Sequence, residues 1–138
     1  MYKTILVTLE GTPTDRAIID HVKHLAAALQ SRVVLLHVVS GVPARIHGSN
    51  AAGREVDEGT AFLTEVRAEF AKAGITAEAE LAYGDPAKEI VNWVNRKGCD
   101  LVAMSTHGHQ FVADLVLGTT AFHVQHNVRV PVLMLRAK

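Results

Sequence analysis

The sequence predicts an α/β protein: a doubly wound, five-stranded parallel sheet with helices on both faces. Three observations carry this. Short apolar, β-branched runs alternate from end to end with stretches whose apolar residues recur at helical spacing. Most of the runs are separated by segments long enough for the crossovers that parallel strands require, and right-handed crossovers put helices on both faces of a sheet. Finally, "RVVLLHVV" (32–39) is continuously apolar rather than alternating, as a strand covered on both faces should be.

Each element follows in order. "KTILVTL" (3–9) is a first strand, closed by the turn cluster Glu10-Gly11-Thr12-Pro13. Ile18, Ile19, Val22, Leu25, Ala26 and Leu29 then mark a helix face, with Asp20, Lys23 and His24 between them. After the second strand, "SGVPARIHGSNAAG" (40–53) is rich in Gly, Ser and Pro without periodicity, and predicts a mobile connection that could act as a lid. Phe62, Leu63, Val66, Phe70 and Ala73 define a second helix, stopped by Gly74. "TAEAELAY" (76–83) alternates as a half-exposed edge strand does. Asp85 and Pro86 are an N-cap and first position for a third helix with Ile90, Val91 and Val94 inward, ending near Gly98. "CDLVAMS" (99–105) is the fourth strand, and a short helix precedes the last, "VRVPVLMLR" (128–136).

The 138 residues suit one domain spanning 1–138, and 49% apolar with 20% charged residues excludes a disordered chain. Lys plus Arg and Asp plus Glu are both 14, so no basic field points to nucleic acid or an anionic membrane. Cys99 is the lone cysteine, which excludes an internal disulfide. The apolar run at the N-terminus turns polar at Glu10, too soon for a signal segment, and no run reaches membrane-spanning length. A soluble cytoplasmic protein is the expectation.

In doubly wound sheets ligands bind beyond the carboxyl ends of the strands, where the winding reverses. Three segments converge there: Glu10 to Pro13, Val38 to Gly41, and Ser105 to Gly108. The stretch "STHGHQFVADLVLGTT" (105–120) has what an anion needs, since Gly108 permits close backbone approach and Gly118-Thr119-Thr120 can offer N–H groups and hydroxyls at a helix start. The same glycines also suit a plain crossover loop with Thr119 capping its helix. No Gly-Lys-[Ser/Thr] occurs, and the first turn carries only Gly11, so neither a Walker A loop nor a dinucleotide fingerprint is present.

Taken together, "ILVTLEGT", "VVLLHVV", "GDPAKEIV", "CDLVAMSTHG" and "GTTAFHVQHNVRVPVLMLR" resemble the universal stress protein family over essentially the whole chain. Its nucleotide-binding branch has the pattern G-x-x-G-x9-G-[S/T], which falls here on Ser105, Gly108, Gly118 and Thr119. The resemblance implies a strand order 3-2-1-4-5, an ATP site at the switch point with Mg²⁺ as a companion ion, and a homodimer formed through residues 130–136. It implies Glu10 near the nucleoside, with Thr8 and Leu9 leading to it, and Val38 against the adenine. Gly108, Gly118 and Thr119 would hold the phosphates, joined by Ser105, Thr106, His107, His109 and the Thr120 amide. The chain departs from the pattern in having Ser105 for the first glycine, Glu10 for the usual Asp, and Asp114 where a basic residue is common. No Lys or Arg lies between Lys97 and Arg129, so phosphates would rely on amides, hydroxyls, a metal ion, or His107 and His109.

The implied function is a stress-response sensor or regulator whose nucleotide biases the 40–53 loop and the dimer surface. Hydrolysis would be slow at most, because no general base or arginine finger is evident; Glu10 is the one acidic residue placed to position water or metal. The alternative is an interaction module without nucleotide, acting through its dimer and loops on an unidentified protein partner. Among the other histidines, His123 and His126 share a helix face and with His107 or His109 could hold zinc, but no Cys or HExxH pattern supports it. His37, inside an apolar strand, is predicted to be buried and bonded to backbone. Cys99, Trp93, Met104 and Met134 read as core or interface, Ser105 with His107 lacks an Asp partner for nucleophilic catalysis, and the charges from Arg54 to Lys72 read as a solvated helix face.

Overall fold

The computed structural model describes residues 1–39, 49–107 and 120–137. Apolar β-branched runs form the strands β1 (Thr4–Leu9), β2 (Arg32–Val39), β3 (Ala77–Tyr83), β4 (Leu101–His107) and β5 (Val132–Ala137). The helices are α1 (Arg16–Leu29), entered through a 3-10 turn at Pro13–Asp15, α2 (Ser49–Lys72), α3 (Pro86–Lys97) and α4 (120–127). The five strands pair in parallel in the order β3-β2-β1-β4-β5, as the family resemblance implies.

Side chains alternate across the sheet, and each set finds its own helical layer. Ile5, Val7 and Leu9 of β1 join Val33 and Leu35 of β2 against Ile18, Ile19 and Val22 of α1 and Leu63, Val66 and Phe70 of α2. Leu6, Val34, Leu36, Val102 and Met104 face the other way, against Ile90 and Val94 of α3 and Ala121 and Val124 of α4. Both faces of the central strands are therefore dry, which is why those strands read as continuous apolar runs. Each fully buried Val, Leu or Ile contributes about 1.5–3 kcal/mol. The predicted cap of α3 is present: Lys88 N–H donates to the Asp85 carboxylate at 3.0 Å.

Several boundaries differ from expectation, among them β4, which runs Leu101–His107 rather than 99–105. Residues 49–53, assigned to an irregular connection, already belong to α2. Its first turns lack an apolar stripe, and Gly53 and Gly59 obscure the helical pattern. Residues 40–48, the rest of that connection, lie outside the described residues. The last strand starts at Val132 rather than 128, one residue past Pro131, which has no N–H for a ladder. Among the described residues, no helix is long and apolar enough to cross a membrane.

Candidate functional site

β1 and β4 are neighbours, yet their ladder stops at Val7↔Ala103 while β1 continues to Leu9 and β4 to His107. The two strands part at their carboxyl ends. This is also where the winding reverses, since β2 and β3 extend the sheet to one side of β1 and β4 and β5 to the other. β2 stays paired with β1 to the end, through Leu9↔His37.

The chain leaving β1 is held by two side chains. The Asp15 carboxylate, only 1% exposed, accepts from the N–H of Gly11 at 2.8 Å, of Glu10 at 3.0 and 3.1 Å, and of Thr12 at 3.4 Å. Gly11, at φ +80°, is the left-handed residue that lets consecutive N–H groups converge on one anion. Burial pushes the Asp15 carboxyl above its usual value, against the pull of those three N–H groups and of His37. His37 Nδ1 in turn bonds the Leu9 carbonyl at 2.9 Å, so this ring nitrogen carries the proton, as neutral or charged imidazole. The predicted backbone bond of His37 is thus present, though the ring is half-buried rather than fully enclosed.

That ring forms one wall of a cleft of about 320 Å³ shared by Glu10, Gly11, Val38, Val39, Glu58, Gly59 and Phe62. α2 comes this close because Gly59 has no side chain: a Cβ there would lie 3.0 Å from His37 Cδ2 and 3.1 Å from Leu81 Cδ1. A second cleft of about 300 Å³, sharing Gly11 and Phe62 with the first, is lined also by Thr12, Pro13 and Asp15.

The structure brings Thr8, Leu9, Glu10, Val38, Ser105 and Thr106 to one end of the sheet. Leu9 is core, and its carbonyl is taken by His37; Thr8, Val38 and Thr106 are half-buried. Ser105 lies in extended β4 backbone, 6% exposed, and its Oγ has no hydrogen-bond partner among the described residues. An orphaned hydroxyl beside the β1–β4 opening is a donor that a ligand could satisfy. Thr120 begins the described part of α4 and is half-buried. Gly108, His109, Gly118 and Thr119, with Asp114, lie outside the described residues, as does the His107 side chain. Among the described residues no three His, Cys, Asp or Glu side chains gather as a metal site. His126 Nδ1 bonds the Phe122 carbonyl of its own helix at 2.9 Å.

Asp15, Gly59, Glu58 and Phe62 were not among the expected site residues. Asp15 had a signal: Thr12-x-x-Asp15 is capping-box spacing just before an apolar helical stripe. Gly59 had none, because its role depends on which strand the helix meets.

Known proteins agree with this fold. The universal stress protein YxiE of Bacillus subtilis is 29% identical, covering 99% of this chain and all of its own length. The solved structure of MJ0577, a Methanocaldococcus jannaschii universal stress protein, superposes with a TM-score of 0.85 at 24% identity, covering 100% of this chain and 98% of its own. A universal stress protein solved in complex with cAMP gives a TM-score of 0.73 at 20% identity, covering 99% and 98%. One from Archaeoglobus fulgidus in complex with dAMP gives 0.71 at 16%, covering 96% and 97%. The family's profile matches residues 1–136, and with the parallel order β3-β2-β1-β4-β5 this makes the chain a member of the universal stress protein family.

Proposed function

We propose that this chain binds an adenine nucleotide, ATP with Mg²⁺, at the carboxyl ends of β1, β2 and β4. The observation that carries the reading is the parting of β1 from β4 beyond Val7↔Ala103, next to the cleft of about 320 Å³ at Glu10, Gly11 and Val38. Its volume is at the lower end of the roughly 300–1,000 Å³ of small-molecule sites, enough for a nucleoside. Val38 and Phe62 supply apolar surface for a base, and Glu10 an acceptor for ribose hydroxyls. The phosphates run toward β4, where Ser105 Oγ and the Gly108–Thr119 stretch take them. Relatives solved with cAMP and dAMP support the ligand class.

The nucleotide serves as the input of a stress-response regulator that works as a homodimer in the cytoplasm. The dimer forms through residues 130–136, since β5 is an edge strand whose Val132, Leu133, Met134 and Leu135 are each only half-buried. A second reading, an interaction module without nucleotide, is favoured by one observation: the Glu10, Gly11 and Thr12 amides are already taken by Asp15.

Calorimetric titration of nucleotide-stripped protein with ATP and Mg²⁺, beside a Gly118→Asp variant, separates the two. Saturable binding lost in the variant supports the nucleotide reading. No uptake at millimolar ATP leaves the interaction module.

A further inference from the structure

The loop after β1 is an anion-binding concavity already filled by the chain itself. Three consecutive N–H groups, from Glu10, Gly11 and Thr12, point at the Asp15 carboxylate. Such a nest of amides at the start of a helix is what phosphate-binding loops present to their ligand. Here no amide of the three is left for a phosphate, and the Leu9 carbonyl before them is held by His37.

We propose that Asp15 is a positioning residue for the nucleoside half of the site: its carboxylate fixes the Glu10–Thr12 loop in the shape that carries Glu10 to the cleft beside Val38, and by filling the nest it excludes phosphate from this loop. The inference rests on the adenine-nucleotide reading above. It supplies a physical reason for the direction of the bound molecule that the reading above already implies. Sugar and base lie on the β1–β2 side, and the phosphates are confined to the β4 side. Asp15 is also among the residues of the cleft at Gly11, Pro13 and Phe62, so cutting its side chain back would open its place to a small anion.

The experiment compares wild type, Asp15→Asn and Asp15→Ala by ATP calorimetry, with formate or an equal concentration of chloride present. Asp15→Asn keeps the shape but turns an NH₂ toward amides that need an acceptor. It is expected to bind ATP about tenfold more weakly, the size of one lost charged hydrogen bond. Asp15→Ala is expected to lose at least as much and to recover with formate but not chloride, because formate restores a carboxylate to the nest. A residue that merely stabilises the fold would not give anion-specific rescue of nucleotide affinity. If Asp15→Ala does not fold, Asp15→Asn and the hydrogen exchange of the Gly11 amide carry the test; that amide is expected to be protected in wild type and to exchange quickly in the variant. Wild-type affinity in both variants overturns the positioning role while leaving nucleotide binding intact. Wild type that takes up no ATP overturns the nucleotide reading and this role with it.

Discussion

Gly53 and Gly59 lie in the same helix, and replacing each by alanine isolates the packing of α2 on β2. An alanine in a helix interior is favoured over glycine by about 0.5–1 kcal/mol. At Gly53 nothing described lies within 4 Å of a new Cβ, so Gly53→Ala should realise that full gain. At Gly59 the new Cβ would sit 3.0 Å from His37 Cδ2 and 3.1 Å from Leu81 Cδ1, well inside the roughly 3.5–4.0 Å at which carbon atoms attract. His37 cannot swing aside without stretching its 2.9 Å bond to the Leu9 carbonyl, and Leu81 is its direct partner in the β2–β3 register.

Overpacking of this kind costs about 1–3 kcal/mol. Set against the propensity gain, Gly59→Ala should be destabilised by about 0–2.5 kcal/mol. The gap between the two variants, in which propensity cancels, should be about 1–3 kcal/mol. Urea unfolding followed by circular dichroism measures both, and an unchanged m-value certifies the comparison. Equal stabilisation by the two alanines would refute the argument, because it would mean that His37 and Leu81 do not bear on Gly59.

Three further outcomes test other parts of the fold. Asp100 accepts from the Lys3 and Thr4 N–H groups at 2.9 and 3.0 Å; burial alone would raise its carboxyl, but these bonds together with its own N–H and the N-terminal charge hold the group below its ordinary 3.8. Its stabilisation is therefore complete above the ordinary carboxylate range and lost as pH falls through the lower folded value, so Asp100→Asn should lose about 1–3 kcal/mol at pH 7 and show a shallower acid limb in pH-dependent unfolding. The Cys99 thiol, pushed up to about 11 chiefly by burial and then by Asp100, should resist iodoacetamide at pH 8 until the protein is unfolded; rapid native alkylation would show the site is open. Met134→Lys should convert the proposed dimer to a monomer by light scattering, and a persistent dimer would exclude β5 as its seam.

The strands were legible because burial on both faces writes itself as near-continuous Val and Leu, as at 32–39, whereas their order was legible only through the family resemblance. The cap at Asp85 was legible because capping depends on neighbours in sequence. The first turns of α2 were not. They contain Gly53 and Gly59, and the contact that seats Gly59 joins it to a strand some twenty residues earlier. The motif on Ser105, Gly108, Gly118 and Thr119 was visible in the sequence, but of these only Ser105 lies within the described residues. The described part of the site is made largely of backbone groups and of the side chains that claim them, and motif spacing carries no record of which amides are already bonded.

The bonded amides of the first loop account for its single glycine. A first loop that received phosphate would need glycines for close backbone approach, as dinucleotide-binding turns do. This chain has only Gly11 there, and needs it to fold the loop onto Asp15. Glycines suited to phosphate approach are found instead after β4, at 108 and 118. Asp15 and the missing glycine-rich turn are then two expressions of one arrangement: the loop's amides are satisfied internally, and Glu10 lines the cleft beside Val38. Restoring a glycine-rich turn after β1 would not by itself create a phosphate site. The Asp15 carboxylate would have to leave first, and the double change, not either alone, should bring pyrophosphate binding to the β1 loop in calorimetry.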